Sequence, residues 1–285
     1  MKIILTTIIL TLTVAVQAQI AVIDTAQLVA VYNYQCLTED SEGKAMTDCA
    51  QTVVQIGKYV TKSMPFSSYR RIGVRNSAEY AAENQEAVMH IPTVWRNWPE
   101  GQTTVHEWIF PNEFEGYEPT PDIAWMLLDD TLSVGGYHCQ LATTMFRGVK
   151  WNVCYTEDVP LSAGPWKLYG LPGLIVKAES KAHTFCLAEL RQETTPIIFE
   201  RKPDVQKSTY EKLLKYRNKI YGDRRYAKNP TYYVPDIHKS IKNMSVLNYD
   251  GRQLIIADGR PLLTRAHVYQ PLEIMKSNRI RIKNK

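Results

Sequence analysis

The sequence predicts a mainly β protein of the α+β class, with a strongly bent antiparallel sheet or half-barrel and a few helices on one side. Segments rich in β-branched and aromatic residues follow one another at short spacing along most of the chain, which is typical of antiparallel sheets. Only one segment combines capping residues with the apolar periodicity of a helix. The chain has 285 residues. A chain of this length supplies enough strands for a large sheet, and such a sheet bends to bury one of its faces.

The N-terminal residues predict a signal peptide. Lys2 precedes an uncharged apolar run from Ile3 to Val16, and small residues surround a cleavage point after Ala18. The run is shorter than the ~20 apolar residues that span a membrane, and no second such run follows. We therefore expect a periplasmic or secreted protein with no transmembrane span after cleavage. Its expected parts are a signal peptide (1–18), a single β-rich domain (19–275) and a charged flexible tail (276–285).

The first half of the chain predicts strands, one short helix and an acidic loop. Ala- and Glu-rich sequence over Ser77–Met89 indicates the helix. From Glu107 to Asp130 there are seven acidic residues and no basic one, and prolines interrupt this acidic tract. We interpret the tract as a solvated loop that borders the sheet. The expected strands are Ala21–Leu37, Asp48–Tyr59 and Val105–Phe110.

The second half predicts closely spaced strands and the one well-signalled helix. The helix runs from Thr209 to Tyr221, because Ser208 and Glu211 form a capping box and Gly222 stands where a C-terminal glycine belongs. The expected strands are Ala124–Leu128, Tyr137–Phe146, Trp151–Glu157, Leu174–Ala178, His183–Leu190, Leu254–Ile256 and His267–Ile274.

Charge is divided unevenly along the chain. Residues 19–200 hold 13 Lys and Arg against 22 Asp and Glu, whereas residues 201–285 hold 20 against 7. One interpretation is that the basic end packs on the acidic part of the same protein. The other is a basic face for anionic glycans, lipid headgroups or an acidic partner. Nucleic acid is not an expected partner, because the chain is exported and carries no recognisable binding motif.

Five cysteines in an exported chain predict disulfides. A hairpin centred between Glu42 and Gly43 places Cys36 directly opposite Cys49, where opposed Cβ atoms lie close enough to bridge. We therefore expect a Cys36–Cys49 disulfide.

A second hairpin, turning near Arg147–Val149, carries Cys139 and Cys154. Placing the apolar side chains of both strands on one face requires an odd-length loop, which sends Cys154 to the face opposite Cys139. A Cys139–Cys154 bridge is then disfavoured, a Cys139–Cys186 bridge remains open, and Cys154 is left unpaired.

The segment Gly164–Val176 is rich in glycine, proline and large apolar residues. Leu171–Leu174 has proline at its second and glycine at its third position, which is the chemistry of a type II turn. Residues 174–176 then predict the start of a buried strand. The segment carries no nucleophile and no acid, so it indicates a backbone path and not a reaction.

This segment and several others resemble the GLPGLI family, secreted or periplasmic proteins of bacteria related to Bacteroides and Porphyromonas. The resemblance covers nearly the whole mature chain, and it implies export but no function, because none is established for the family. Val149 and Cys154 depart from the family pattern. The other matching blocks are Gly136–Thr144, Phe146–Gly148, Tyr155–Pro160 and, more weakly, Val54–Lys58, Asn97–Pro99 and Gln270–Glu273. The signature residues are Gly164, Pro165, Trp166, Gly170, Leu171, Pro172, Gly173, Leu174 and Ile175.

No catalytic residue, metal site or cofactor is predicted. There is no Gly-x-Ser-x-Gly, His-Glu-x-x-His or Cys-x-x-Cys pattern. His138 and Cys139 are neighbours on a strand, so their side chains point to opposite faces and cannot form a dyad. Aromatic residues are the remaining indication of a site, and they suggest a groove for a peptide, glycan or lipid. The candidate groove residues are Trp95, Trp98, Trp166 and Tyr169.

The sequence favours a non-catalytic binding or accessory module of the cell envelope that uses a β-sheet surface or groove. Its expected partner is a protein, glycan or lipid of the envelope. One alternative is an enzyme of unrecognised type with a cysteine or carboxylate site. The other alternative is a periplasmic protein that binds copper or zinc.

Overall fold

The structure is a computed structural model that describes residues 19–39, 43–70, 91–109, 112–201, 205–221, 244–249, 252–257, 260–262 and 270–274. Within these residues the protein is mostly β, with one large, open, curved sheet, and the predicted fold class is confirmed. The predicted signal peptide, the helix over Ser77–Met89 and the tail lie outside the described residues. No helix among the described residues is long and apolar enough to cross a membrane.

Among the described residues, twelve strands form the large sheet and three form a second, small one. The large sheet contains β1 (Gln19–Glu39), β2 (Ala45–Gly57), β3 (Thr61–Pro65), β4 (Thr93–Arg96), β5 (Gln102–Ile109), β6 (Asn112–Pro119), β7 (Met126–Val134), β8 (Tyr137–Phe146), β9 (Val149–Thr156), β10 (Leu174–Glu179), β11 (His183–Arg201) and β12 (Gln206–Thr209). The small sheet contains β13 (Met244–Tyr249), β14 (Arg252–Ala257) and β15 (Arg260–Leu262). The helices in the described part of the chain are α1 (Phe66–Arg70) and α2 (Tyr210–Tyr221).

The order in the large sheet is β12-β6-β5-β4-β3-β2-β1-β11-β10-β9-β8-β7. Every neighbouring pair is antiparallel except β12 with β6. The predicted helix is confirmed as α2. It packs on the face of the large sheet that also carries the main apolar core. We call this the inner face. Gly116 on β6 lies under the helix, where a Cβ would come within 2.8 Å of Leu213.

Strand β6 lies where a solvated acidic loop was expected, and that expectation is wrong. The acidic side chains of β5 and β6 are not all solvated, because Glu107 contacts Arg217 at 3.0 Å and Glu115 contacts Lys207 at 3.4 Å. Both cations come from the basic C-terminal third. Packing of the basic end on the acidic part therefore occurs at these two pairs. The strand expected over His267–Ile274 is also absent from its described part, residues 270–274.

The β8–β9 hairpin turns on two residues, Arg147 and Gly148, both with positive φ (46° and 83°). This even loop pairs Phe146 with Val149 and contradicts the predicted odd-length loop. The expected apolar face of β8 is therefore wrong, whereas that of β9 lies in the main core. The inner face of β8 carries Ala142 and Phe146, and the strand's Cys139 belongs to the outer face.

The predicted disulfides do not form, and no two of the five cysteines are joined by a disulfide. In the β1–β2 hairpin Cys36 lies opposite Asp48, while Cys49 lies opposite Gln35, one residue away from the predicted register. Cys36 is buried and Cys49 is exposed on the other face. Cys139 and Cys186 lie on β8 and β11, with two strands between them, so they cannot bridge. Cys154 shares a face with Cys139, because it pairs with Leu141 two residues along β8.

Candidate functional site

A network of buried charges lies at the centre of the inner face. The Nζ atom of Lys167 contacts carboxylate oxygens of Glu118 and Glu273, each at 2.8 Å. Arg147 contacts the same two carboxylates at 2.5 and 2.7 Å. The Tyr210 hydroxyl also donates to Glu273, at 2.5 Å, and the Tyr210 ring lies 3.3 Å from the Lys167 ammonium. The side chains of Lys167 and Glu273 are 1 % and 0 % exposed, so both charges are held out of water.

The residues of this network come from distant parts of the sheet. Glu118 is on β6, near one edge, and Arg147 is in the turn that follows β8, near the other. Lys167 belongs to the signature segment, and Glu273 belongs to the short described segment 270–274. The network therefore joins residues from opposite ends of the curved sheet.

The network is balanced in charge, with two cations and two carboxylates. Burial raises the pKa of Glu273, but the cations Lys167, Arg147 and Arg217 outweigh burial and lower that pKa to about 2. Each of the four charged groups is paired within the network. We interpret the network as a structural closure of the sheet.

The signature segment supplies core side chains and one member of the network. Leu174, Ile175 and Val176 are buried at the start of β10, as expected, and Leu171 is buried in the main core. The predicted type II turn is not formed, since that turn needs a positive φ at Gly173 and the positive φ lies at Gly170 (96°). Gly173 is required for a different reason, because a Cβ there would lie 2.0 Å from the carbonyl oxygen of Thr156.

The four aromatic residues proposed for a groove do not line one surface. Trp95 and Trp166 are buried and belong to different core clusters. Trp98 packs beside Trp95 against Phe199. Tyr169 is held under the guanidinium of Arg96, 4.3 Å from its ring centroid. Trp95 and Trp166, two of the four candidate groove residues, are therefore core residues, and the groove stays a prediction.

The buried thiols are not activated. Burial raises the pKa of Cys154 to about 11 and that of Cys36 to about 12, and burial also raises the pKa of Cys139. A nucleophilic cysteine needs the opposite shift. Among the described residues there is no group of three or more His, Cys, Asp or Glu side chains that could hold a metal ion.

The exposed edge strand β7 is the feature best suited to binding. It pairs with β8 on one side and has no strand partner on the other among the described residues. Eight of its nine residues, Met126–Ser133, are exposed. They include four large apolar side chains: Met126 (61 %), Leu127 (57 %), Leu128 (39 %) and Leu132 (40 %). An edge strand of this kind is a template for pairing with another chain.

The pairing with β8 shows which backbone groups of β7 point away from the sheet. Val134 and Tyr137 flank the two-residue turn Gly135–Gly136 and form a hydrogen-bonded pair. From this pair, hydrogen-bonded and non-hydrogen-bonded pairs alternate along the antiparallel ladder. This places the outward N–H and C=O groups on Ser133, Thr131 and, beyond the bulge at residues 129–130, Leu127. These three residues form the free hydrogen-bonding edge.

The outer face of β7 continues into an apolar surface. Leu128 lies opposite Leu141, and Leu132 lies opposite Cys139, so these pairs share the outer face. Cys139 belongs to a small apolar cluster on the outer face of the sheet, beside the edge strand β7. We call it the outer apolar cluster; it consists of Cys139, Cys154, Val176, Val134, Tyr137, Leu141 and Leu187.

Neither the full length of strand β7 nor the network of buried charges was predicted from the sequence, for identifiable reasons. The strand signal ended at Leu128, because Asp129 and Asp130 interrupt the apolar pattern, and the structure accommodates them as a bulge. The network was missed because its charges are far apart in the chain. Lys167 was the only charge in an otherwise apolar motif, and such a position was a usable signal for a buried ion pair.

Comparisons with known proteins leave the function open. No protein-family model matches the chain, and no curated protein matches it either. Two matching solved structures are PNGF-II in C2 and P21 crystal forms, at 12 % and 13 % identity and TM-scores of 0.42 and 0.43. These matches cover 65 % and 66 % of this chain, and the chain spans about a third of PNGF-II (32 % and 33 %). Likeness at this level carries no argument about function.

Proposed function

We propose that the protein is an exported, non-catalytic binding module of the cell envelope that holds an extended segment of a partner protein along β7. The observation that carries the proposal is the free edge of β7, with its exposed apolar side chains on a long strand. Protein sheets recognise extended peptides by adding them as an extra strand, with backbone hydrogen bonds for affinity and side-chain contacts for specificity. We also propose that the protein is a member of the GLPGLI family.

A protein partner suits this edge better than a glycan or a lipid. Backbone donors and acceptors recur along β7 at the spacing of another extended chain, and a sugar or an acyl chain cannot match that row. An aromatic groove would favour a glycan, but two of its four candidate residues, Trp95 and Trp166, are buried. Asp129 and Asp130 are exposed on the strand, which disfavours anionic headgroups.

The proposal is tested by selecting phage-displayed decapeptides on the mature protein and measuring how the selected peptides bind to variants. Thr131→Pro removes one outward N–H group, at a position where an edge strand tolerates proline. Leu127→Asp places a charge on the exposed apolar edge. We expect each change to weaken peptide binding at least about tenfold.

The matched control is Leu37→Asp. Leu37 is as exposed as Leu127, at 57 %, but it lies on β1, which has strand neighbours on both sides. Peptide binding should be unchanged in this variant. Peptides that bind equally well to all three variants would contradict docking at β7.

A further inference from the structure

The free edge of β7 carries negative charge that no cation of the described residues balances. Asp129 and Asp130 are exposed in the bulge at the middle of the strand, and within the described part of the chain neither forms a salt bridge. Neither β7 nor its neighbour β8 contains a lysine or an arginine. On β8, Gln140 donates a hydrogen bond at 3.2 Å to a third exposed carboxylate, that of Glu157. The surface around the edge therefore attracts positive charge.

The apolar side chains of the edge lie mostly on one face of β7. Leu128 and Leu132 lie on the outer face beside the outer apolar cluster, and Met126, two residues before Leu128, shares that face. All three side chains are exposed. Thr131 and Ser133 point to the inner face and are polar. A strand added at this edge therefore meets apolar side chains on its outer side and polar ones on its inner side.

The charge of the bulge also determines which strands the edge rejects. Two copies of β7 paired antiparallel would bring four carboxylates together, because the bulge lies near the strand centre, and like charges opposite each other are destabilising. Charged side chains and bulges on an edge strand prevent edge-to-edge pairing of this kind. An acidic segment is repelled in the same way. A basic segment is the class of strand that the bulge attracts.

We propose that the partner of β7 is a basic extended segment, with apolar side chains on its outer face and lysine or arginine beside Asp129 and Asp130. The proposal rests on the docking edge proposed above, and it names the class of segment that this edge accepts. Backbone pairing with Leu127, Thr131 and Ser133 gives affinity but does not depend on the partner's side chains. The two carboxylates provide the selection, because they favour a basic segment and oppose an acidic one.

The test compares phage-displayed decapeptides selected on the mature protein with decapeptides selected on Asp129→Asn/Asp130→Asn. This variant removes both charges and keeps the size of each side chain. Peptides selected on the wild type should carry a net positive charge, whereas peptides selected on the variant should show no charge preference. The wild-type peptides should bind at least about threefold more weakly to the variant, since each exposed ion pair contributes a factor of about 1.4–5 in affinity. The difference should disappear in about 1 M NaCl, which screens charges over about 3 Å.

The matched control is Glu100→Gln/Glu211→Gln. It removes two exposed carboxylates that lie away from β7, so it changes the net charge by the same amount, and peptide selection and binding should be as in the wild type. An equal loss of binding in this control would assign the preference to overall charge and overturn the inference.

The same peptides separate this inference from the proposed function. Peptides whose binding is weakened by Thr131→Pro but which show no charge preference would overturn the inference and leave docking at β7 standing. Peptides that bind equally well to the wild type and to Thr131→Pro would contradict docking at β7, and the inference would fail with it.

Discussion

The guanidinium of Arg147 contacts the carboxylate of Glu118 at 2.5 Å between Nη2 and Oε2, although eight strands lie between β8 and β6 in the sheet. In a flat sheet these strands would be about 43 Å apart, at ~4.8 Å for each spacing. The ion pair thus bridges the two ends of the curved sheet, and Lys167 and Glu273 complete the bridge from the inside. Removing one carboxylate of this network should therefore lower the stability of the whole domain.

The first prediction concerns Glu273→Gln. The substitution keeps the shape of the side chain but leaves Lys167 and Arg147 with one anion between them. Breaking a buried ion pair in this way costs about 3–5 kcal/mol, so the free energy of unfolding in urea should fall by about that amount. Glu211→Gln is the control, because Glu211 makes an exposed pair with Lys215, and it should leave stability nearly unchanged. A similar small effect of both changes would contradict a structural role for the network.

The second prediction is an acid-dependent loss of stability. The pKa of Glu273 is about 2 in the folded protein against an ordinary value of 4.5. Between these values the unfolded state binds more protons than the folded state, so stability falls as the pH falls from 4.5 towards 2. The stabilisation is fully present above pH 4.5. In Glu273→Gln this part of the pH dependence should be absent, and chemical unfolding measured across the window gives the difference. If the free energy of unfolding changed with pH in the same way in the wild type and in Glu273→Gln, Glu273 would not hold its charge in the folded state.

The third prediction concerns the signature glycine Gly173. An added Cβ would lie 2.0 Å from the Thr156 carbonyl oxygen, and backbone cannot move aside as a flexible side chain does. We expect Gly173→Ala to cost about 3 kcal/mol or more, measured by thermal or urea unfolding. Gly101→Ala is the comparison, because no atom lies within 4 Å of its added Cβ and only its positive φ of 75° is strained; that strain costs about 1 kcal/mol. Equal losses in the two variants would mean that Gly173 is not packed against β9 in this way.

The fourth prediction concerns the thiols. Cys49 is exposed, whereas Cys36, Cys139 and Cys154 are buried and burial raises the pKa of all three thiols. Iodoacetamide should therefore modify Cys49 in the native mature protein and leave the three buried thiols unmodified until denaturant is added. Cys49→Ser should remove this rapid labelling. Peptide mapping of the unreduced protein provides the second readout, and a Cys36–Cys49 disulfide found there would overturn the register of the β1–β2 hairpin.

Local signals predicted the fold well where they depend on short stretches of sequence. The capping box of Ser208 and Glu211 predicted α2 to within one residue, and β-branched runs predicted the central strands. The registers of strand pairing were harder to predict, since a shift of one residue moves every side chain of a strand to the other face of the sheet. This is how Cys36 and Cys49 came to be paired in the prediction.

The long-range features could not be read from the sequence. The contacts of Lys167 depend on how the sheet curls, and its partners Glu118 and Glu273 are 49 and 106 residues away. The exposure of β7 depends on its place at the end of the strand order, which no local pattern records. Tertiary topology determines both.

The central claim is that β7 accepts an added strand along its free edge. The most direct measurement is residue-specific amide exchange by NMR on the mature protein, with and without a decapeptide selected by phage display. A paired strand protects only the outward N–H groups, so the peptide should slow exchange at Leu127, Thr131 and Ser133. It should leave Leu128 and Leu132 unchanged, because their N–H groups already face β8. Unchanged exchange at the three outward positions, or equal protection of all five, would contradict the claim.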